Sequence, residues 1–166
     1  MLRLEHVTKH FGGVNAVNDC TFGVKERLIT ALIGPNGAGK STMFQLILGE
    51  LKPKSGSVHI KNGATIAIAS QVMPKEFYDL TVEEYFATAF RDKKYNLKKL
   101  IDEALEVVNY TVPLEKKISV LSGGQQARLL LARAIIQKPD ILLLDEPTNN
   151  LDADGIGQLT VFLMMY

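Results

Sequence analysis

The residues Gly34-Pro35-Asn36-Gly37-Ala38-Gly39-Lys40-Ser41-Thr42 carry the spacing Gly-x-x-x-x-Gly-Lys-Ser of a phosphate-binding loop. Glycines let the backbone curl so that N–H groups point inward at phosphate oxygens, and a helix starting at the loop's end adds its partial positive charge. Lys40 supplies a full charge for the outer phosphates, and the Ser41 hydroxyl is placed to ligate Mg²⁺. A second glycine-rich stretch, Leu121-Ser122-Gly123-Gly124-Gln125, precedes a helical pattern. Ser-Gly-Gly at a helix start makes a second anion site by the same helix-terminus physics. Asp145 and Glu146 follow four apolar residues, Ile141-Leu142-Leu143-Leu144. Two acids at the end of a buried strand are costly unless they hold a cation or a proton in transit. Asp145 suits Mg²⁺ that bridges phosphates, through a water, because magnesium dehydrates reluctantly. Glu146, directed the other way by strand alternation, suits orienting and deprotonating an attacking water.

Two further residues are weaker signals by themselves. Gln71 follows an apolar strand directly, and ligands of open α/β sheets bind beyond the carboxyl ends of the strands. Phe11 lies upstream of the phosphate loop, where an aromatic ring can stack on a base. Its residue type and position alone favour a core phenylalanine at a strand end.

These groups must be held by elements that the pattern makes legible. Leu2–Val7 alternates apolar and polar residues as a half-buried strand does, Phe11-Gly12-Gly13 turns, and Val14–Val24 extends again. Leu28-Ile29-Thr30-Ala31-Leu32-Ile33 reads as the strand entering the phosphate loop, and Met43–Leu48 as the helix leaving it. Lys52-Pro53-Lys54-Ser55-Gly56-Ser57 stops that helix. Val58–Ile60 and Thr65–Ala69 read as strands joined by Asn62-Gly63, a hairpin signal. From Thr81 to Val108 the period becomes helical, with Val82, Tyr85, Phe86 and Ala89 on one helix and Leu97, Leu100, Ile101, Ala104, Leu105 and Val108 on a second. The basic run Arg91–Lys99 between them, with Tyr95, reads as a solvated linker in preference to an RNA contact. Gln126–Gln137 is a helix ended by Pro139-Asp140, and Ile141–Leu144 is a run of the kind buried on both faces of a parallel sheet.

At 166 residues, with 46% hydrophobic and 22% charged residues, the chain has the size and composition of one globular domain. A net charge of +1 gives no field strong enough to imply nucleic acid or an anionic membrane as partner. The single cysteine, Cys20, excludes an intramolecular disulfide and alternates with Phe22 and Val24 as a buried small side chain would. No uncharged apolar run approaches the about 18 residues needed to cross a bilayer, and the N-terminus lacks a signal-peptide pattern. The expectation is a cytoplasmic protein without direct membrane insertion, whose membrane role would need a separate subunit.

Taken together, these motifs resemble the ATP-binding-cassette ATPase family over almost the whole chain. Gly34–Thr42 is similar to its Walker A loop, Gln71 to its Q-loop glutamine, Leu121–Gln125 to its signature, Ile141–Glu146 to its Walker B strand and Leu151-Asp152 to its D-loop. Phe11 falls where the family places its adenine-stacking aromatic. The resemblance implies an α/β P-loop NTPase cassette with a mainly parallel central sheet, an antiparallel N-terminal β portion and an α-helical insert. It implies one domain, 1–166, with residues 1–75 and 138–166 as nucleotide-binding core and 76–137 as a helical subdomain bearing the signature. It further implies ATP and Mg²⁺ as cofactors. Phe11, Asn36, Gly37, Ala38, Gly39, Lys40, Ser41, Thr42 and, for a neighbouring cassette's ATP, Ser122, Gly123, Gly124 and Gln125 would contact nucleotide. Ser41, Gln71 and Asp145 would hold the metal, and Glu146, Lys40 and Gln71 would act in hydrolysis. A second cassette is the expected partner, since Walker A of one copy and the signature of another hold the same ATP.

Within the family three details lean toward the ABC-F branch, which lacks membrane domains and commonly acts on ribosomes. They are Asp145-Glu146-Pro147-Thr148-Asn149-Asn150-Leu151-Asp152, Gln125-Gln126-Ala127-Arg128, and the short span from Ser55-Gly56-Ser57 to Gln71. Phe11-Gly12-Gly13 and Thr81-Val82-Glu83-Glu84 read equally as a transporter cassette, whose partner is a transmembrane permease and whose place is the cytoplasmic face of the membrane. A non-hydrolysing, ATP-dependent dimerisation module is the third alternative. The family's switch histidine is expected beyond the D-loop, whereas His6, His10 and His59 all precede Walker B. The chain ends at Phe162-Leu163-Met164-Met165-Tyr166, ahead of the last strands the family would supply, so a C-terminally incomplete cassette with weak turnover is expected.

Overall fold

Two units divide the chain, Met1–Ala64 and Thr65–Tyr166, in a computed structural model that describes residues 1–25, 28, 30, 32, 34–35, 37–149 and 151–165. In the first, strand β1 (Leu2–Phe11) lies between β2 (Val14–Val24) and β3 (Ser55–Ile60), and both pairings are antiparallel. The buried residues of β1 are Leu2, Leu4 and Val7, a spacing that strict alternation does not give. A bulge accounts for it. Leu4 pairs with Phe22 but Val7 with Cys20, one more step on β1 than on β2, and His6 sits at φ 51° inside that step. The extra residue returns Val7 to the core face. Gly56 of β3 answers the bulge at φ 81°, where a Cβ would run into the carbonyls of Glu5 and His6, so only glycine fits.

Helix α1 (Lys40–Leu48) packs on β2 and buries Met43, Leu46 and Ile47. It ends at Leu48, as the sequence reads, and begins three residues ahead of the predicted Met43. Gly49 takes the left-handed conformation, φ 76°, and its N–H donates to the Leu46 carbonyl at 3.2 Å, closing the helix with a glycine cap. Ser55–Ser57 then already belongs to β3. Leu28, Thr30 and Leu32 belong to no strand, and Leu28 is 61% exposed, contrary to the strand predicted there. Ile29, Ala31 and Ile33 lie outside the described residues. An apolar run becomes a strand only through pairing and cover, which Leu28, Thr30 and Leu32 lack among the described residues. Cys20 is half-buried, not fully enclosed.

In the second unit β4 (Ile66–Ala69) pairs in parallel with β5 (Ile141–Leu144), Ile66 beside Ile141 through to Ala69 beside Leu144. The hairpin predicted across Asn62-Gly63 does not form. The turn itself is real, with Gly63 at φ 79° and the Ala64 N–H on the Lys61 carbonyl at 3.0 Å. Its flanking strands go to different sheets, β3 to β1 and β4 to β5. Among the described residues, the mainly parallel sheet is represented by the β4–β5 pair. Register at its amino end is set by Asp140, whose carboxylate accepts from the Thr65 N–H and hydroxyl, each at 2.8 Å.

Helix α2 (Val82–Ala87), α3 (Leu97–Val107), α4 (Gly123–Ile136) and α5 (Ala153–Met165) build the core of this unit. Tyr85, Phe86 and Ile101 are fully buried, as the helical spacing predicts, and so is Leu129. Helix α4 meets both strands and α3, and the small side chains Ala67 and Ala69 on β4 leave room for it. Arg133 lies 5.6 Å from the Phe77 ring centroid and 5.2 Å from that of Tyr85, a cation–π arrangement in which burial pushes the Tyr85 hydroxyl pKa up. The run Arg91–Lys99 is exposed apart from Leu97, as a solvated linker would be. No helix among the described residues is long and apolar enough to cross a membrane.

Candidate functional site

The phosphate loop lies wholly in the first unit. Gly37 and Gly39 take φ 83° and 85°, and a Cβ on Gly39 would run into the Ala16 carbonyl oxygen, so the loop is pressed against β2 at a position that admits no side chain. Helix α1 starts at Lys40 with Gly39 as its cap; no side chain caps it and its first turn holds no acid. The first N–H groups of a helix have no intrahelical partner. At α1 the cap residue has no side chain to occupy them and the first turn carries no acid, an electrostatic setting that favours an anion. The Lys40 ammonium curls over the same loop and donates to the carbonyls of Gly34 at 2.7 Å and Pro35 at 3.1 Å. Ser41 and Thr42 occupy the first turn, Ser41 exposed and Thr42 half-buried, while Gly37 and Ala38 are exposed in the loop. Asn36 lies outside the described residues. These groups fit a phosphate chain and a hydroxyl-ligated Mg²⁺. Phe11, at the end of β1, is 47% exposed, so it is not the core residue its type and position favoured; Lys9 Nζ stands 5.5 Å from its ring centroid.

The second unit gathers Gln71, Asp145 and Glu146 at the carboxyl ends of β4 and β5. The parallel register places Ala69 beside Leu144, and the Asp145 N–H extends the ladder onto the Ala69 carbonyl at 3.2 Å. Beyond it the strand stops. Glu146 is at φ 50°, so its direction is set by a left-handed residue, not by the strand alternation predicted for it. Two amides reach one carboxylate oxygen: Gln71 Nε2 donates to Glu146 Oε2 at 3.0 Å and Asn149 Nδ2 to the same atom at 2.6 Å. Asn149 was absent from the sequence-derived set; the signal available was only that a short amide three residues after an acid can bond back to it. Among the described residues no cluster of three or more His, Cys, Asp or Glu side chains is disposed to hold a metal. Mg²⁺ sites commonly use one or two carboxylates and leave the remaining positions to waters and phosphates; the Ser41 hydroxyl of the first unit, and separately the Asp145 carboxylate and Gln71 amide of the second, are donors of the types it takes.

Around the signature stretch Leu121 is buried and Ser122 caps α4. The Ser122 hydroxyl accepts from the Gln125 N–H at 3.3 Å and the Gln125 side chain accepts from the Ser122 N–H at 2.9 Å. This capping box starts the helix at Gly123, ahead of the predicted Gln126. It leaves the N–H groups of Gly123 and Gly124 as the first-turn donors without an intrahelical partner. The sequence-derived set also missed Arg128. Its guanidinium donates to the carbonyls of Val108 at 3.0 Å and Asn109 at 2.7 Å and pairs with Asp152 at 2.7 Å. Asp152 in turn accepts the Gly155 N–H at 2.8 Å, capping α5. The Gly155 N–H first and Arg128 second hold the Asp152 carboxyl below its ordinary range.

Comparison with known proteins places this geometry. The family described as ABC transporter matches residues 17–149. The zinc uptake system ATP-binding protein ZurA of Listeria innocua is 36% identical over 173 residues, covering 94% of this chain and 67% of that protein. The zinc import ATP-binding protein ZnuC of Photobacterium profundum is 38% identical over 156 residues, covering 93% and 59%. The dimeric post-hydrolysis state of an ATP-binding cassette bound to ADP and Pi matches with a TM-score of 0.82 and 29% identity, over 98% of this chain and 81% of that one. The mixed α/β P-loop cassette fold is thereby established. The lean toward ABC-F finds no support in these relatives, which are transporter ATP-binding proteins. Two of its three signals lie in Asp145–Asp152 and Gln125–Arg128, segments that the family's shared nucleotide chemistry shapes, so they report little about what the cassette docks with.

Proposed function

The chain belongs to the ABC transporter family, and from that premise we propose that it binds Mg-ATP and hydrolyses it as the ATP-binding part of a membrane importer, with a divalent metal ion as the cargo class. The observation that carries ATP binding is the uncapped start of α1 behind Gly39, with Lys40 folded over the loop. The metal-uptake reading is supported by the zinc systems to which ZurA and ZnuC belong. A transmembrane permease and a second cassette are the partners it implies, at the cytoplasmic face of a membrane.

In this reading the loop N–H groups and Lys40 bind the β- and γ-phosphates and gain strength as charge develops on the transferred group. Phe11 stacks on the base. Mg²⁺, when bound, neutralises charge on the bridging phosphates, and Ser41, Gln71 and Asp145 are the residues that would hold it. Glu146 orients the attacking water and takes its proton. Ser122, Gly123, Gly124 and Gln125 serve the nucleotide of the partner cassette, and residues 76–137 act as the helical subdomain on the 1–75 and 138–166 core.

Calorimetric titration with Mg-ATP and a phosphate-release assay test this reading. Lys40→Ala is expected to weaken ATP by at least about tenfold, the scale of one hydrogen bond to a charged group; unchanged affinity removes the central claim. Glu146→Gln is expected to keep ATP and lose phosphate release. ATP binding and ATP-dependent dimerisation without phosphate release from the unsubstituted chain would favour a dimerisation module instead. Nucleotide-dependent co-sedimentation with ribosomes would favour the translation reading.

A further inference from the structure

The turn that carries Glu146 is closed twice by one residue. The Asn149 backbone N–H donates to the Glu146 carbonyl at 3.2 Å, and the Asn149 side-chain amide donates to Glu146 Oε2 at 2.6 Å. Pro147 lies inside the turn, so Glu146 is held at φ 50° immediately before a proline, a conformation that few residues with a side chain adopt. Asn149 is exposed and packs into no core. Among the described residues, every hydrogen bond it donates goes to Glu146. Gln71 reaches the same Oε2, at 3.0 Å, from the loop after β4. Among the described residues no donor reaches Oε1.

We propose that Asn149 is a positioning residue for hydrolysis: its side-chain amide pins Oε2 of Glu146 and so leaves Oε1 as the oxygen that takes the water's proton. The inference rests on Glu146 being the base, as proposed above. In the step it serves, the water oxygen bonds to the terminal phosphorus, its proton passes to Oε1, and the bond from that phosphorus to the bridging oxygen breaks, so that ADP leaves. A carboxylate on a free rotor presents either oxygen in many directions. One with a short, charge-assisted bond at Oε2 presents Oε1 in one. Gln71 alone does not secure this, because it is also a candidate metal ligand and leaves Oε2 if it turns to the metal. Asn149 is three residues from Glu146 and bonded to its backbone, so it stays with the carboxylate. The chemistry selects the side chain: aspartate at this position has the same shape but no donor and a like charge, and serine is too short to repeat the amide's reach.

Steady-state phosphate release by the full chain with Mg-ATP tests the inference through Asn149→Ala and the isosteric Asn149→Asp. Both are expected to lower kcat about tenfold to a hundredfold, the range a lost hydrogen bond to a charged group spans, with KM within about twofold because no ground-state contact to ATP is lost. Asn149→Asp turning over like the unsubstituted chain, or raised KM at unchanged kcat, overturns it. A second readout needs no nucleotide. The Asn149 carboxamide signal in ¹H–¹⁵N spectra, identified by its loss in Asn149→Asp, is expected to shift on Glu146→Ala; an unmoved signal overturns the placement. If the unsubstituted chain itself releases no phosphate, the proposed function falls, an outcome distinct from one in which it turns over and Asn149→Asp does so equally.

Discussion

Replacing Glu146 by glycine and, separately, by alanine isolates the energy held in its backbone. Both variants lose the carboxylate, and both leave the exposed amides of Gln71 and Asn149 to water, so those terms cancel between them. What remains is φ 50°. A residue with a Cβ is about 1–2 kcal/mol worse off in the left-handed region, whereas glycine is indifferent to it but loses roughly 0.5–1 kcal/mol more chain entropy on folding. The difference favours glycine by about 0.5–1 kcal/mol, the reverse of the ordinary order in which alanine is the more stable. All five tyrosines, Tyr78, Tyr85, Tyr95, Tyr110 and Tyr166, fall in the second unit, and the chain has no tryptophan. Tyrosine fluorescence in urea therefore reads the unit that contains Glu146. With a slope of about 1–3 kcal/mol per molar, the midpoint of Glu146→Gly is expected roughly half a molar above that of Glu146→Ala. An alanine variant as stable as the glycine one, at equal slope, would falsify the claim that this turn stores strain. Neither variant should release phosphate, which would mark the strain as a cost of placing the carboxylate.

Two other expectations follow from single geometries. Gly39→Ala meets both φ 85° and the Ala16 carbonyl, so ATP affinity measured by titration should fall at least about tenfold; an alanine variant that binds ATP normally would mean the loop does not need this close approach. Asp152, whose ordinary value is 3.8, is held lower by the Gly155 N–H and Arg128, so its contribution to stability is complete above that value and is lost as pH falls through the lower folded value. Asp152→Asn should thus be less stable than the unsubstituted chain near neutrality, and the gap should begin to narrow as pH falls below 3.8; a gap that does not narrow on acidification would show that the carboxylate's charge is not what holds the cap.

What the chain's pattern made legible is what local spacing controls. Val14–Val24 is read with its observed bounds, since β-branched and aromatic alternation between Gly12-Gly13 and the following charged residues leaves one choice. The helix read as Met43–Leu48 is present and starts three residues earlier, at Lys40. Pairing was not legible where it is non-local. Asn62-Gly63 makes its turn, yet β4 lies beside β5, 75 positions on from Ile66 to Ile141, and no local signal outweighs a buried parallel partner. The bulge at His6 was hidden for a related reason, because its complement, Gly56, lies on another strand. At the candidate site, the residues with charge or nucleophilic chemistry announced themselves, and the neutral amide that orients one of them did not. Asn149 is an ordinary turn residue until Glu146 is known to be left-handed.

The segment after β5 therefore does more than end a strand. From Leu144 the chain passes through Glu146, fastened by Asn149, then through a turn in which the Leu151 N–H meets the Thr148 carbonyl at 3.2 Å, to Asp152. Asp152 starts α5 with one oxygen and holds Arg128 of α4 with the other. Arg128 lies on the helix that Ser122 opens, and its remaining donors close the carboxyl end of α3 on Val108 and Asn109. These hydrogen bonds, with the covalent chain between them, connect the turn of the candidate base to the signature helix within the second unit. A rotation of α4 relative to β5 acts on the Arg128–Asp152 pair, on the α5 cap and on the turn of Glu146 together. It must break the pair, uncap α5, or carry the turn of Glu146 with it, and the last is the course that preserves every charge-assisted bond.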